Sequence, residues 1–469
     1  MSYNPDNQYR CTIIRGKSQT EMEDLLPFYA QTVHKFCPCQ KDEFDSYCNR
    51  QLAKYFFNNE DYAGLPDANK KTIRNHITEI MGKLLGLYFA TEDGYVYESE
   101  SCSFLLSSND FPAFFKNICL NFQFPNFADS IQTLKEKLQN GIALRPLCFV
   151  VAFLDYARKQ PENKAITKQE IGFYILNNLD VLQGKVGIAE IYDRIMSDRK
   201  NNIRREKLSG SHDWQHIKEQ INFLALANVV DTDRDFIWLN GAEENAIKLF
   251  CKRNADPLFD FYHYNLDLPS EKKQAQAEWD LYFGKLNPEI KDMSTHFEPA
   301  VKTAEMKKER GAVGLSTVEL GDKGEAFVYK MECERVKAFK ERLVNKVLLL
   351  GKTKGLGYDI SSIEADENPE KQEFARYIEV KTTTRISEPS FNEDWSDTLN
   401  LTSKEWIAAE QYGDYYNIYR VYFTKKKTIV IKINNPFKKA QEGIVDVFPT
   451  IYQMDFTKQA IQKQYEEEV

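Results

Sequence analysis

"GLGYDISSIEADENPEKQEFARYIEVKTTT" spans residues 355–384. An acid, Asp359, follows a Gly-Tyr pair, and after a polar run comes a short apolar stretch interrupted by Glu379 and Lys381. Gly357 permits a tight approach at a strand start, and "ADENPEKQE" reads as a polar, Pro-containing hairpin loop. In "RYIEVKT" alternation sends Glu379 and Lys381 to one face and Ile378 and Val380 to the other, the charged pair roughly 7 Å apart. A plain strand ion pair would account for Glu-Val-Lys by itself. Asp359 changes the weighing, because an antiparallel hairpin returns the second strand past the first and sets Asp359 beside Glu379. Two adjacent carboxylates are costly unless a cation lies between them. Hard oxygen ligands with open positions favour Mg2+, with Mn2+ as its substitute. A lysine beside them can hold or help deprotonate an attacking water. This is the set of groups that phosphodiester hydrolysis asks for.

The flanks supply a frame. "ELGDKGEAFVYKMECERVKAF" (319–339) reads as a helix with Glu325 in its first turn and a core-facing stripe at Phe327, Val328, Met331 and Val336. The expected order is then helix, connector or strand, strand with Asp359, strand with Glu379 and Lys381, helix, strand. Thr402 and Glu405 fit a capping box, so Glu405 reads as structural, and Trp406 as core. Lys425, Lys426 and Lys427 fall in a hairpin turn that is either solvated or set against a DNA backbone.

Taken together, "GDKGE" on the helix, "GYDI", "IEVKTT" and "LTSKEW…GDYYNIYRVYF" resemble the C-terminal domain of the plant NO VEIN protein, a branch of the PD-(D/E)XK nuclease superfamily. The resemblance covers about residues 320–435. It implies an α/β restriction-endonuclease-like core, Asp359 and Glu379 as metal ligands, and Lys381 as the water-positioning base. It implies Glu325 as a helix-borne acid near the metal. "GYD" stands where the proline of the superfamily's name would be.

The N-terminal half reads differently. Residues 1–60 are helical in pattern, with apolar spacings of three and four in "EMEDLLPFYAQTVHKF". "NKKTIRNHITEIMGKLLGLYFATEDGYVYESESCSFLL" (69–106) is a helix followed by a hairpin with an Asp-Gly turn, the order of a winged-helix unit. Its helix opens with Lys70, Lys71, Arg74, Asn75 and His76, types suited to phosphates and base edges. A second round follows. "LRPLCFVVAFLDYARKQ" is a buried-looking helix, "AITKQEIGFYILNN" a helix capped at Thr167 with Glu170 three residues on, and "KVGIAEIYDRIMSDRKN" a third. "DWQHIKEQINFLALANVVDTDRDFIWLN" is helix, strand, turn, strand. The stretch 198–212 between them holds five cations, Arg199, Lys200, Arg204, Arg205 and Lys207, against two acids. Each cationic group alone is ordinary surface; two helix–hairpin units, both with cations near the helix that would enter a groove, point to duplex DNA. The pattern over about 60–250 resembles the winged-helix part of AlwI-type restriction endonucleases.

Bulk properties agree with a multidomain protein: 469 residues, 42% hydrophobic, 28% charged, net charge −8. "MSYNPDNQYR" lacks an apolar signal region, and the longest apolar run, 146–154, is too short to span a bilayer, so a cytoplasmic protein without membrane contact is expected. Nine cysteines, an odd number, argue against a closed disulfide framework. His34, Cys37, Cys39 and Cys48 have poor zinc spacing and read better as ordinary thiols.

The expected architecture is a mainly α winged-helix-like N-terminal half and an α/β PD-(D/E)XK C-terminal domain. Its pieces are a helical segment 1–60, winged-helix-like units 61–140 and 141–255, a helical linker 256–318 and a nuclease-like domain 319–469. The expected function is Mg2+-dependent restriction endonuclease action on double-stranded DNA in antiviral defence, sequence-specific or modification-dependent, with homodimerisation and a cognate methyltransferase as candidate partnerships. The alternatives are a non-catalytic DNA-binding or scaffold protein with a degenerate nuclease fold, and a winged-helix transcription regulator.

Overall fold

Strand and helix periods along the chain sort it into two units. One comprises residues 1–19, 32–106 and 112–291; the other comprises 20–31, 107–111 and 292–469. The computed structural model describes residues 3–11, 17–58, 61–161, 165–205, 211–293, 317–351, 356–368, 370–449 and 452–468. Lys207 and residues 294–316 of the expected linker lie outside them.

In the first unit the chain runs from the end of α1 (Gln19–Phe36) through β1 (Cys39–Gln40), α2 (Lys41–Phe56) and α3 (Asp67–Asn75). Helix α3 continues as a π-helical stretch to Leu84 before β2 (Tyr88–Ala90) and β3 (Tyr95–Glu98). The three short strands pair antiparallel in the order β1-β3-β2. The inward face of α3 and its extension buries Ile73, Ile77, Ile80, Met81 and Leu84. His76 is buried there too, its ring 4.5 Å from that of Phe56, so it is a core side chain and not a DNA contact.

Helices α4 (Glu100–Ser108), α5 (Phe111–Asn121), α6 (Ile131–Gln139) and α7 (Pro146–Arg158) lead into the second round. Helix α7 has Pro at its first position and is buried from Pro146 through Leu154, as its unbroken apolar run requires. Then follow β4 (Ile166–Thr167), α8 (Lys168–Glu170) with a π-helical continuation to Leu176, α9 (Leu179–Leu182), α10 (Ile188–Lys200), α11 (Ser211–Leu226), β5 (Val230–Thr232) and β6 (Phe236–Leu239). These strands pair in the equivalent order, β4-β6-β5.

Helices α12 (Glu244–Asn254), α13 (Pro269–Gly284) and α14 (Pro288–Lys291) close the unit. The sequence places α13 and α14 in a linker, but both pack into the first unit. Ala275, Trp279 and Phe283 form a narrow buried stripe four residues apart, and Ile290 is buried after them. The side chain of Asn121 donates to the Lys285 carbonyl at 2.9 Å, and Ser101 Oγ donates to that of Gly284 at 3.0 Å.

The second unit has α15 (Thr317–Phe339), β7 (Leu348–Leu349), β8 (Ile360–Ile363), β9 (Ala375–Thr384), β10 (Ser396–Leu401), α16 (Ser403–Tyr412), β11 (Tyr416–Phe423), β12 (Lys427–Asn434), α17 (Pro436–Gln441), β13 (Val445–Pro449), β14 (Tyr452–Thr457) and β15 (Lys463–Glu468). Its main sheet is mixed, in the order β15-β12-β11-β9-β8-β7, with β9 and β11 parallel at the centre. Alternation sorts the two faces. Ile378, Val380, Tyr419, Val421 and Val430 pack under α15 with Val328 and Val336. Tyr416, Ile418, Tyr422 and Ile431 face the other way, onto Ala408 and Ala409 of α16 and onto a second sheet, β10-β14-β13, through Leu399, Met454 and Phe456. That second sheet has no counterpart in the expected element order.

The α15 face also buries a charge network. Arg376 pairs with Glu364 at 2.7 Å and Glu367 at 3.0 Å, Lys432 with Glu367 at 2.8 Å, and Arg335 with Glu332 at 2.7 Å. Ser362 and Tyr419 hydroxyls donate to Glu332 at 2.6 and 3.0 Å.

The end of β9 is finished by segments from early in the chain. Thr384 N and Thr383 Oγ1 donate to the Asn109 carbonyl at 3.0 and 2.8 Å. Beyond the strand, the buried Glu23 carboxylate accepts from Ile386 N at 2.6 Å and Ser387 N at 2.8 Å, while Asp24 pairs with Arg385 at 2.7 Å. The second unit therefore does not begin at residue 319 but takes in residues 20–31 and 107–111.

Two outcomes follow from these burials. Glu23→Ala strands two backbone donors and leaves Arg385 with Asp24 alone as its carboxylate partner among the described residues, and should lower unfolding free energy by about 3 kcal/mol in chemical denaturation. Burial holds the His76 pKa down at about 4, against an unfolded value of 6.5. Its contribution is then complete above pH 6.5 and is lost as pH falls from 6.5 towards 4; the shift corresponds to at most roughly 3 kcal/mol. His76→Phe should flatten the stability–pH curve in that window.

Candidate active site

The turn into β8 and the middle of β9 meet on the face opposite α15. Register pairs Ile360 with Ile378, so Asp359 sits just before β8 rather than within it. Its backbone N–H donates to the Ile378 carbonyl at 2.9 Å, and its own Oδ2 accepts from Val380 N at 2.8 Å. The Asp359 and Glu379 carboxyls are close enough for each to act on the other's charge. Lys381, two residues on and on the same face, places Nζ 2.7 Å from Glu379 Oε1.

A fourth group completes the cluster. Lys381 Nζ also donates to Glu405 Oε2 at 2.9 Å. Glu405 is the third residue of the capping box that starts α16: Thr402 Oγ1 accepts from Glu405 N at 3.3 Å, and Thr402 N donates to Glu405 Oε2 at 2.9 Å. The capping reading is correct, and the same carboxylate reaches the site as well. Helix α16 comes this close because Gly357 has no side chain. Its φ is +77°, and a Cβ there would fall 2.6 Å from the Lys404 carbonyl oxygen and 2.8 Å from Ala408 Cβ. The Tyr416 hydroxyl donates to the Gly357 carbonyl at 2.9 Å.

Glu325 lies on α15. Helix and sheet meet closely at Gly324, where a Cβ would fall 1.9 Å from Thr382 Oγ1. A Cβ on Gly351 would fall 2.0 Å from Glu325 Oε2, so the carboxylate rests over Gly351. That glycine follows Leu350, whose N–H donates to the Asp359 carbonyl at 2.6 Å.

Burial dominates the electrostatics. It pushes the Glu379 carboxyl well above the usual range; Asp359 and Glu405 push the same way, and Lys381 pulls back. Asp359 is raised by burial despite its bond from Val380 N and the nearby Lys381. Desolvation would lower Lys381, but Glu379 and Glu405 outweigh it and the pKa is raised, so the side chain is an ammonium at neutral pH. It can donate to a water or a phosphate oxygen; it is not poised to accept a proton.

The donor set suits a hard divalent cation. Glu379 and Glu405 share one ammonium and Asp359 adds a third carboxyl to the cluster, so the site is short of positive charge. Among the described residues no three His, Cys, Asp or Glu side chains are arranged as a ready-made metal group. Asp359 and Glu379 present carboxyl oxygens, the donor type that Mg2+ accepts. In the cysteine cluster burial raises Cys37 to about 12, and His34 pairs with Glu98 at 2.7 Å.

In the first unit the expected DNA contacts separate into two groups. Lys71, Arg74 and Asn75 are exposed on α3, and with Thr78 they form one stripe. Lys70 folds back to donate to the Ala63 carbonyl at 2.8 Å. Arg199 makes a fork to Glu170, at 2.7 and 2.6 Å, and Arg205 is tied to Asp198 at 2.5 Å and to Asp6. These two arginines are structural ties, while Lys200 and Arg204 are exposed. Helix α11 exposes Gln215 and Lys218, with Lys218 Nζ 5.5 Å from the Trp214 ring. Cation density drew attention to the loop before α11; the helix's own 3.6-residue period would have singled out Gln215 and Lys218.

No helix among the described residues is long and apolar enough to cross a membrane. No curated protein matches the chain. Residues 324–433 match the family model described as "Protein NO VEIN, C-terminal", in agreement with the motifs found there. A solved structure of pyrene- and phenanthrene-modified DNA in complex with the BpuJ1 endonuclease binding domain is similar at 34% identity. The match covers 61% of this chain and 100% of that one, with a TM-score of 0.56. Residues 3–280 match the model "Restriction endonuclease BpuJI - N terminal", and over that span, more than half its length, the chain belongs to this restriction-endonuclease family.

Proposed function

We propose that the chain is a Mg2+-dependent DNA endonuclease of a restriction system, in which the first unit grips duplex DNA and the second hydrolyses a phosphodiester. The observation that carries the proposal is the junction of Asp359, Glu379 and Lys381 on one face of the sheet, with Glu379 buried, the other two half-buried and the cluster short of positive charge. The sheet order and this cluster support a PD-(D/E)XK core. In both halves of the first unit helices lead into a hairpin that pairs with an earlier short strand, in the orders β1-β3-β2 and β4-β6-β5, which supports winged helices with α3 and α11 as the groove-entering elements. The similar BpuJ1 binding domain was solved in complex with DNA, which supports the same substrate here.

Asp359 and Glu379 would hold the cation, which supplies Lewis-acid stabilisation of charge developing on the phosphate. Lys381 donates hydrogen bonds to the attacking water and to a non-bridging phosphate oxygen, fixing approach and offsetting charge. Water oxygen forms the new P–O bond, the opposite ester P–O bond breaks, the leaving alkoxide takes up a proton, and the water's proton passes to solvent.

A second reading has one observation in its favour: among the described residues, the acids as they stand do not form a complete metal group. The chain would then bind DNA with a silent nuclease fold. Incubation of the full chain with modified and unmodified phage and plasmid DNA, with Mg2+ or with EDTA, separates the two. The nuclease reading expects metal-dependent cuts, and a loss on the order of 10^2–10^3-fold for Lys381→Ala, Asp359→Asn or Glu379→Gln. Tight binding with no cleavage of any substrate would establish the silent fold.

Binding has its own test. Lys71→Ala and Arg74→Ala should each weaken duplex affinity and reduce the slope of log K against log salt by about 1. Arg199→Ala should lower the melting temperature while leaving that slope unchanged.

A further inference from the structure

We propose that Glu405 is a positioning residue for the reaction: it is the second anchor that keeps the Lys381 ammonium at the Asp359–Glu379 pair. The proposal rests on the nuclease reading for its consequence, though not for its geometry.

A lysine is a compact charge on a flexible four-carbon stem, and one partner fixes it poorly. Glu379, on the same strand, bonds Nζ at 2.7 Å. It is also the group that a cation would engage, and its oxygens are then no longer free to hold Lys381. Glu405 comes from a different element and bonds the same Nζ at 2.9 Å. Its carboxylate is not free to wander, because Oε2 also accepts from Thr402 N at 2.9 Å. The helix that carries it is seated on Gly357, the residue two before Asp359, and Gly357 is tied in turn by Tyr416. Lys381 is thereby referenced to the same turn that presents Asp359. Capping by itself needs only the bond between Thr402 and Glu405; it gives no reason for the lysine to share that oxygen.

Two variants separate the roles. Glu405→Gln keeps a carbonyl oxygen for Thr402 N, since glutamine also serves at this position of a capping box, but removes the charge that holds Lys381. Thr402→Ala removes the cap acceptor and leaves the Glu405–Lys381 bond. In the full chain with Mg2+ and plasmid DNA, Glu405→Gln should lower kcat by about 10- to 100-fold with KM and DNA affinity unchanged. Thr402→Ala should lower the melting temperature and leave kcat within about threefold of the parent, as loss of a cap predicts. Acetylation of Lys381, followed by mass spectrometry without metal or DNA, should accelerate in Glu405→Gln and not in Thr402→Ala. Wild-type kcat in Glu405→Gln, or the same acetylation rate in both variants, overturns the proposal. If the parent protein itself does not cut DNA, the nuclease reading fails, and the acetylation contrast still decides whether Glu405 anchors Lys381.

Discussion

A half-buried ammonium shared by two carboxylates, Lys381 between Glu405 and the buried Glu379, is the interaction on which the second unit's arrangement turns. It joins the central strand to α16 on the face that the sheet's alternation leaves for charge. Breaking such a contact from one side leaves an uncompensated buried charge. The elements around it are correspondingly fixed: Gly357 under α16, Tyr416 on Gly357, Val380 N on Asp359. The apolar side of β9 offsets the cost, because Ile378 and Val380 are buried under α15 by the same alternation.

The two faces of the sheet both bury charge, with opposite balance. On the α15 face three acids, Glu332, Glu364 and Glu367, meet three bases, Arg335, Arg376 and Lys432, with Lys463 at the rim. Hydroxyls of Ser362, Tyr419 and Tyr465 fill remaining acceptor positions. That network is closed on itself and has the marks of structure. On the other face Asp397 likewise balances Arg420, at 2.9 Å, with help from the Tyr422 hydroxyl at 2.7 Å. Of these clusters, the one at Asp359 alone has more acids than bases, and this imbalance distinguishes a site that calls for a cation from the neutral networks around it.

Much of this was legible in the sequence where a short period carries the information. Glu379 and Lys381 share a face because side chains alternate; Asp359 joins them because a hairpin returns. Other features were not legible, for physical reasons. Glu405 satisfied a capping box, and a pattern that already explains a residue hides its second role. Arg199 and Arg205 looked like solvent cations because their partners are remote: Glu170 lies 29 residues away and Asp6 lies 199 away. Helices α13 and α14 looked like a linker because their polar residues dominate the composition, while burial depends on a stripe of three side chains, Ala275, Trp279 and Phe283. The second sheet was missed because its strands pair far apart in the chain, Ser396 with Thr457.

The expected boundary at residue 319 fails for a related reason, and it bears on function. Hydrogen-bond satisfaction, not composition, decides where a folded unit ends. Strand β9 carries Glu379 and Lys381 in its middle, and its end and the segment just beyond it would leave Thr384 N, Ile386 N and Ser387 N without acceptors if the unit were cut at 319. Asn109 and Glu23 supply those acceptors. Glu23 lies on α1, whose last turn belongs to the other unit. The strand is therefore finished by Asn109, and the segment just beyond it by Glu23 of α1. These acceptors come from residues 20–31 and 107–111, so the unit that carries the candidate site is not the C-terminal segment alone.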